Sequence, residues 1–195
     1  GGAAISVLAR SLGATLEVVD VGAAAAVEPL PGVVSRRVAN GSANFCRKPA
    51  MSAEQMYGAL SAGREAVERG LAEGMDIFIG GEMGIANTTV ATALASAALQ
   101  LDPALVAGAG TGLDAAGIGR KAEVVRRALA LHRDELEQPL DILRCVGGFE
   151  IAALAGAYIA SAQAGVPVLV DGFITTTAAL MAVQINPSVR PWLLF

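Results

Sequence analysis

The residues best suited to chemistry lie in two glycine-rich runs. Residues 80–89 read GGEMGIANTT, and residues 108–114 read GAGTGLD, with Lys121 two helical turns further on. Glycine lets a ligand approach the backbone closely, and free N–H groups at a helix start attract anions. Glu82 adds a carboxylate of the kind that takes part in proton transfer. These residue types indicate a phosphate site with a carboxylate beside it, and hence a nucleotide ligand.

The elements that must position these runs are short apolar segments alternating with helical patterns. Such alternation predicts βαβ units on a parallel sheet. The predicted strands are residues 16–21, 76–79, 104–107, 141–146, 166–170 and 191–195. The fold class is therefore α/β, a three-layer Rossmann-like domain with a mostly parallel sheet of about six strands. We expect residues 1–195 to form this one domain.

Two of the intervening helices carry recognisable start signals. Ser52 with Gln55 three residues later forms a capping box, and Asp114 is an N-cap candidate for the helix that carries Lys121. Three other helical segments have little polar face: residues 88–101, 150–164 and 175–184. Helices of that kind are buried on several sides, by the core, by further segments or by a second subunit. We therefore expect a homodimer.

In this assignment nearly every strand ends in a glycine turn. The turns begin at Gly22, Gly80, Gly108, Gly147 and Gly172. Parallel sheets bind ligands outside the carboxyl ends of their strands, so we expect these turns to share one ligand-binding edge.

The standard nucleotide fingerprints do not match these turns. Residues 108–112 form GxGxG and not GxGxxG, and Ile118 stands where a P-loop would have lysine after Gly117. A dinucleotide-binding dehydrogenase and a P-loop ATP site are therefore both disfavoured.

Composition excludes several classes of partner. A net charge of −4 with no Lys/Arg run disfavours nucleic acid. The apolar stretch 151–170 is interrupted by polar residues and by Gly165-Val166-Pro167, so we predict a buried helix, a turn and a strand with no membrane span. Two cysteines without a CxxC pair, and no signal peptide, predict a cytoplasmic protein.

Simpler roles remain open for several polar residues. Asn87, Thr88 or Thr89 could cap the following helix, and Lys121 could be a solvated charge beside Arg120. The alternative for Lys121 is that it reaches back to a phosphate. The sole histidine, His132, is expected to be solvated or to neutralise a helix end. Cys145 is expected to be a small buried hydrophobe within a strand.

Both glycine-rich runs resemble the nicotinate-nucleotide:dimethylbenzimidazole phosphoribosyltransferase family. The family motif GEMGIxNTT stands at residues 81–89, and GxGTGLD followed by lysine stands at residues 108–114 with Lys121. The other matching runs are GSAN at 41–44, PAM at 49–51, VGGFEI at 146–151 and VDGFI at 170–174. The resemblance covers essentially the whole chain in the same order.

This resemblance implies a reaction and a set of site residues. A ring nitrogen of 5,6-dimethylbenzimidazole attacks C1′ of nicotinate mononucleotide, nicotinate leaves, and α-ribazole 5′-phosphate forms. Glu82 is implied as a supporting carboxylate near the base substrate. The implied substrate-binding residues are Met83, Gly84, Asn87, Thr88, Gly110, Thr111, Gly112, Lys121, Asp171 and Gly172. Nicotinate leaves from a cationic pyridinium, so the reaction demands no metal and no cofactor.

The resemblance also leaves a gap. The family's general base is a glutamate in a GEGSG motif beyond the last strand, and no such motif occurs in these 195 residues. The family's smaller helical domain is also not represented, so we expect a central core truncated at both ends. Glu150 and Asp171 are further carboxylates at predicted strand ends. The alternative function is a non-catalytic module that binds a nucleotide or a benzimidazole.

Overall fold

A computed structural model describes residues 3–25, 31–110 and 112–195, and all elements named below lie within them. The helices are α1 Ala4–Leu12, α2 Ala53–Ala72, α3 Asn87–Leu99, α4 Pro103–Val106, α5 Ala115–Leu131, α6 Pro139–Val146, α7 Phe149–Gln163 and α8 Phe173–Ile185. The strands are β1 Val18–Asp20, β2 Val33–Ser35, β3 Phe78–Ile79, β4 Val168–Leu169 and β5 Leu193–Leu194. Two 3-10 helices span Arg133–Glu135 and Pro187–Trp192.

The strands form two small parallel sheets. β1 pairs with β2, and a separate sheet has the order β3-β4-β5, with β4 in the centre. The prediction of an α/β fold with parallel strands is confirmed in this coarse form. The prediction of one sheet of about six strands is wrong, because the described residues give five short strands in two sheets.

Two of the predicted strands are helices. Residues 104–107 lie mainly in α4, where Pro103 is at the first turn and the Asp102 carboxylate accepts a 2.8 Å hydrogen bond from the Ala104 N–H. Residues 141–146 lie in α6, which likewise has a proline, Pro139, at its start. Apolar runs this short do not distinguish strand from helix, whereas a proline in the first turn favours a helix.

This correction changes the meaning of the glycine turns. Gly108 and Gly147 follow helices, and Gly22 follows a strand of the other sheet. Only the turns that contain Gly80 and Gly172 lie at the carboxyl edge of the three-stranded sheet. The expectation of five turns on one sheet edge is therefore wrong.

The core centres on α7, which packs very closely on α2. A Cβ on Gly63 would lie 1.7 Å from the Ala153 carbonyl oxygen, and one on Gly156 would lie 2.1 Å from the Leu60 carbonyl oxygen. Only glycine at both positions lets the two helix backbones approach this far. Tyr158 is fully buried on the same helix, in accord with the predicted burial of residues 150–164.

The two helix starts recognised in the sequence are confirmed. The Gln55 N–H donates to Ser52 Oγ at 3.1 Å, and the Ser52 N–H donates to Gln55 Oε1 at 2.9 Å, which completes the capping box at α2. Asp114 Oδ1 accepts a 2.7 Å bond from the Gly117 N–H at the start of α5.

His132 and Cys145 are both buried, and only one of them was expected to be. Burial raises the pKa of the Cys145 thiol to about 11, so the free side chain is an uncharged hydrophobe as predicted, although it lies in α6 and not in a strand. The prediction of a solvated His132 is wrong, because its side chain is 2% exposed. Its ring lies against the carbonyl of Phe45, which is 87 residues away in sequence.

The apolar stretch 151–170 is folded as the sequence predicted. It comprises most of α7, a turn and β4. None of the helices in the described ranges combines the length and apolarity needed to cross a bilayer.

Candidate functional site

Two adjoining clefts open beside the carboxyl edge of the three-stranded sheet. The smaller, about 240 Å³, is lined by Glu82, Thr88, Asp171, Gly172, Phe173, Ile174 and Thr175. The larger, about 400 Å³, is lined by Thr88, Val106, Gly108, Gly110, Lys121 and Phe173. Thr88 and Phe173 line both clefts. The two clefts therefore form one groove, of the size that small-molecule sites usually have.

Two helix N-termini open on this groove. α3 is preceded by Ala86 and α8 by Gly172, and neither residue has a side chain that can cap the first N–H groups. The alternative in which Asn87, Thr88 or Thr89 serves as the cap is therefore wrong. Uncapped N–H groups together with the positive end of the helix dipole favour an anion at this place.

One side of the groove, which we term the basic wall, consists of Lys121, Thr88, Gly108 and Gly110. The Lys121 ammonium donates to the Gly108 carbonyl at 3.0 Å and to Thr88 Oγ1 at 3.2 Å. Gly110 has φ +56°, and a Cβ there would lie 3.3 Å from Lys121 Nζ. Lys121 is only 7% exposed, so the alternative of a solvated charge beside Arg120 is wrong.

The charge of Lys121 is poorly compensated. Among the described residues no carboxylate pairs with it, and its hydrogen-bond acceptors are a carbonyl and a hydroxyl oxygen. A buried charge without an opposite charge is costly, and an anionic ligand in the groove removes that cost. Phosphate suits this position because charge-assisted hydrogen bonds to its oxygens are strong.

At the smaller cleft a second group, which we term the acidic wall, consists of Glu82 with Asn87 and Glu150 beside it. Glu82 Oε2 accepts hydrogen bonds from the Gly84 N–H at 3.0 Å and from the Asn87 side-chain amide. Asn87 is 5% exposed, and both its amide and the Glu150 carboxylate lie close to Gly84. One buried amide therefore holds Glu82 and lies near Glu150, and Glu82 is the carboxylate that lines the groove.

The two carboxylates are not equivalent. Burial raises the pKa of the Glu150 carboxyl above its ordinary value, the Asn87 hydrogen bond opposes the rise, and the Glu82 carboxylate adds to it. A raised carboxyl pKa favours the protonated form and is common among groups that exchange protons at active sites. Glu82 is therefore the member of the acidic wall that can meet a ligand directly, with Glu150 behind it.

The two walls meet at the start of α3, where the backbone is strained. Ala86 has φ 65° and ψ 9°, the left-handed region that residues with a Cβ rarely adopt. Asn87 bonds to Glu82 of the acidic wall and Thr88 to Lys121 of the basic wall, so consecutive residues belong to the two walls. Strain of this kind is often found at functional sites.

The remaining predicted site residues differ in position. Asp171 and Gly172 line the smaller cleft, whereas the Met83 side chain is 100% exposed in the loop after β3 and lines neither cleft. Gly84 packs against Asn87, where a Cβ would lie 2.5 Å from the amide nitrogen. Gly112 lies in the turn before α5 outside both linings, and Thr111 lies outside the described residues.

Phe173 and Thr175 line the groove but were not among the predicted residues. Their sequence signal was the position directly after Gly172, at the start of a helix that follows a strand. Thr175 Oγ1 donates to the carbonyls of Asp171 at 2.6 Å and Gly172 at 2.9 Å, which holds this turn in place.

Comparison with known proteins confirms the resemblance predicted from the motifs. A family described as phosphoribosyltransferase matches residues 1–195, the whole chain. The chain belongs to this family.

Individual members show how far the similarity extends. The chain is 61% identical to the nicotinate-nucleotide–dimethylbenzimidazole phosphoribosyltransferase of Azotobacter vinelandii, covering 100% of this chain and 56% of that protein. The enzyme of the same name from a strain of Pseudomonas putida is 60% identical, again over 100% of this chain and 56% of that protein. The crystal structure of CobT from Thermus thermophilus matches with a TM-score of 0.94 and 42% identity, covering 100% of this chain and 58% of that one.

These matches show how much of the fold and of the relatives' length the similarity covers. The fold of the described residues agrees with that of the Thermus structure over the full length of this chain. The chain spans 56% of the length of the Azotobacter and Pseudomonas relatives.

Proposed function

We propose that this chain is the nucleotide-binding core of an enzyme that transfers the 5-phosphoribosyl group from nicotinate mononucleotide to 5,6-dimethylbenzimidazole, giving α-ribazole 5′-phosphate and nicotinate in cobalamin biosynthesis. The observation that carries the proposal is the buried ammonium of Lys121, which has no described carboxylate partner and faces a groove flanked by two uncapped helix N-termini. In a phosphoribosyltransferase, the anion that such a groove accepts is the 5′-phosphate of the nucleotide.

The basic wall would hold the phosphate end of the substrate. Lys121 Nζ and the N–H groups at the starts of α3 and α8 supply positive charge, and Gly110 keeps the approach open. Thr88 Oγ1, which accepts from Lys121, keeps the ammonium turned towards the groove.

The acidic wall would serve the benzimidazole. A ring nitrogen attacks C1′, the bond from C1′ to nicotinate breaks, and the new nucleotide carries a positive imidazole that must lose its N–H proton. Glu82 lines the groove and is the carboxylate placed to stabilise that positive charge. Asn87 holds Glu82 from behind, so the carboxylate is oriented before the substrate arrives.

A second candidate is binding without turnover. It is favoured by the hydrogen bonds that Glu82, the carboxylate lining the groove, already accepts from the Gly84 N–H and the Asn87 amide. Under this candidate the groove binds the mononucleotide, and Glu82 does not take up the proton that the reaction releases.

Calorimetry and a product assay separate the two candidates. The protein is titrated with nicotinate mononucleotide, then incubated with both substrates while α-ribazole phosphate is followed by mass spectrometry. The Azotobacter enzyme serves as a positive control. Binding with product supports transfer, and binding without product supports the second candidate. Absence of binding contradicts both.

We extend the proposal to the assembly and its surroundings. α1 exposes Ile5, Leu8 and Leu12, an apolar face that supports contact with a second subunit in a homodimer. Cys46 and Cys145 are free thiols, which suits the reducing cytoplasm. The three-stranded sheet would be the centre of a Rossmann-like three-layer arrangement over residues 1–195. Sedimentation equilibrium tests the dimer directly, since a monomeric mass contradicts it.

A further inference from the structure

Three side chains of metal-ligating type converge at the C-terminal end of α5. His132 ends that helix, Glu135 lies in the 3-10 helix that follows, and Cys145 lies in α6. One ligand atom from each lies within 4.8 Å of the other two. Across the described ranges this is the one place where three or more His, Cys, Asp or Glu side chains meet in this way.

The histidine ring is held in the orientation that metal binding needs. Nε2 lies 2.8 Å from the Phe45 carbonyl oxygen, and a carbonyl only accepts, so Nε2 carries the hydrogen. In the neutral ring Nδ1 then keeps its lone pair, and it lies 3.8 Å from Glu135 Oε1. Metal-binding histidines usually donate their other N–H to a carbonyl or carboxylate, as His132 does.

The carboxylate is held in a similar way. Glu135 Oε2 accepts a 2.7 Å hydrogen bond from Arg144, which leaves Oε1 on the side of the imidazole. Cys145 is fully buried and His132 nearly so, whereas the Glu135 side chain is 47% exposed. The cluster therefore has two fixed, buried ligands and one open side through which an ion and a water molecule can enter.

The spacing suits a tetrahedral ion. Ligands bound to zinc at about 2.0–2.3 Å lie roughly 3.3–3.8 Å apart from one another. The distance of 3.8 Å between Nδ1 and Oε1 already falls at that value. All three pairs of ligand atoms lie within 4.8 Å, and rotation of the exposed glutamate side chain can adjust its distances to the other two.

We propose that His132, Glu135 and Cys145 bind one Zn²⁺ ion, with water as the fourth ligand. Nitrogen, thiolate and carboxylate together suit zinc, whereas magnesium and calcium prefer oxygen ligands alone. The thiolate and the carboxylate balance the two positive charges of the ion, and the thiol proton is released to solvent. Arg144, which binds Glu135, also forms an ion pair with a second carboxylate, because its guanidinium lies 3.4 Å from Asp141 Oδ1.

The role of this ion is structural. It joins the end of α5, the helix that carries Lys121, to α6, which is followed by α7, the helix that carries Glu150. The ion therefore links the helix that positions the basic wall to the helices that position the acidic wall. A ligand that binds only the folded state raises the melting temperature, so we expect Zn²⁺ to stabilise the protein.

Metal titration of the chelator-treated protein tests the site. Calorimetry with Zn²⁺ is expected to give one ion per chain, with a higher melting temperature in its presence. Co²⁺ reports the ligands directly, because a cysteine thiolate gives a sulfur-to-cobalt charge-transfer band. Cys145→Ser is expected to abolish that band, and Glu135→Gln to keep the band while weakening Zn²⁺ at least about tenfold.

Neighbouring residues of the same types provide matched controls. Cys46→Ser removes the other cysteine, and Asp134→Asn removes the carboxylate adjacent to Glu135; both variants are expected to bind as the unchanged protein does. Glu135 is exposed, so Glu135→Gln keeps the fold, and unchanged Zn²⁺ affinity in that variant overturns the site. Loss of the cobalt band in Cys46→Ser, or no binding at all, overturns it as well. Mononucleotide binding is measured separately, so failure here is distinct from failure of the proposed function.

Discussion

The two walls of the groove solve opposite electrostatic problems. In the basic wall a single buried ammonium, Lys121, has only neutral oxygen acceptors among the described residues. In the acidic wall two carboxylates, Glu82 and Glu150, lie near one buried amide, and neither has an ion pair with a described cation. The comparison shows that charge is separated across a groove whose halves meet at two consecutive residues, Asn87 and Thr88.

Such a separation is costly in the free protein and useful with a ligand. Each wall lacks the opposite charge that would stabilise it, and ordinary ion pairing between Lys121 and Glu82 would have removed both costs. A substrate with an anionic phosphate at one end and a developing positive charge at the other compensates both walls at once. Substitutions in either wall, or at the junction between the two walls, test this comparison.

The largest effect is expected from removing the ammonium. Lys121→Ala should weaken nicotinate mononucleotide binding roughly 10- to 100-fold, because a hydrogen bond to a charged group contributes about 1.5–3 kcal/mol. Calorimetry measures the change. Arg120→Ala, which removes the exposed positive charge next to it, is the matched control and should change affinity little. Equal losses in the two variants would mean that the basic wall acts only through its overall charge.

The glycine that approaches Lys121 is expected to matter next. A Cβ at Gly110 would lie 3.1 Å from Thr88 Oγ1 and 3.3 Å from Lys121 Nζ, on a backbone with φ +56°. Gly110→Ala should therefore lower the free energy of unfolding by about 1–2 kcal/mol. Urea denaturation measures it. Gly119→Ala on α5 faces open space and should instead stabilise by about 0.5–1 kcal/mol. A stable Gly110→Ala variant would show that the basic wall tolerates movement.

The strained junction offers a stabilising change. Ala86→Gly should raise the free energy of unfolding by up to about 1 kcal/mol, because glycine adopts the left-handed conformation without steric cost. Thermal and urea unfolding give the value. Ala97→Gly in the right-handed part of α3 should do the reverse, by about 1 kcal/mol. If Ala86→Gly destabilises the protein, the left-handed conformation of Ala86 does not strain the backbone.

The smallest effect is expected from the acidic wall, as a dependence on pH. Because the pKa of Glu150 is raised above 4.5, the folded state holds this proton to a higher pH than the unfolded chain does. Stability from this group is therefore full below pH 4.5 and is lost as the pH rises through the raised pKa.

Glu150→Gln removes the loss of stability that ionisation of Glu150 causes as the pH rises. Its stability relative to the unchanged protein should increase as the pH rises above 4.5, as measured by urea denaturation at a series of pH values. The exposed Glu137→Gln provides the baseline for removing a carboxylate. A difference that stays flat with pH in both variants would contradict the inequality of the two carboxylates.

Local signals in the sequence predicted the helix starts well. Ser52 with Gln55, and Asp114 with Gly117, form their hydrogen bonds within three residues, so the chain needs no tertiary contact to specify them. The same kind of signal stands at Asp102 and Pro103, which begin α4. A capping residue followed by proline favours a helix over the strand predicted for residues 104–107.

The size of the sheet was harder to predict. Residues 141–146 are apolar and suit a strand, yet they form α6, because a short apolar run satisfies both periodicities. Which of the two forms depends on the surface against which the run packs, and that surface includes helices distant in sequence. The expected common edge of glycine turns was wrong for the same reason.

The sequence by itself determined which residue types stand at the groove, in which order, and which turns glycine permits. The tertiary structure alone decided their partners: Lys121 bonds to Thr88, 33 residues earlier, and His132 lies against Phe45, 87 residues earlier. It also decided that Asn87 holds Glu82 and does not cap α3. The physical reason is that burial determines how strongly a charge needs a partner, and burial arises only when distant segments pack together.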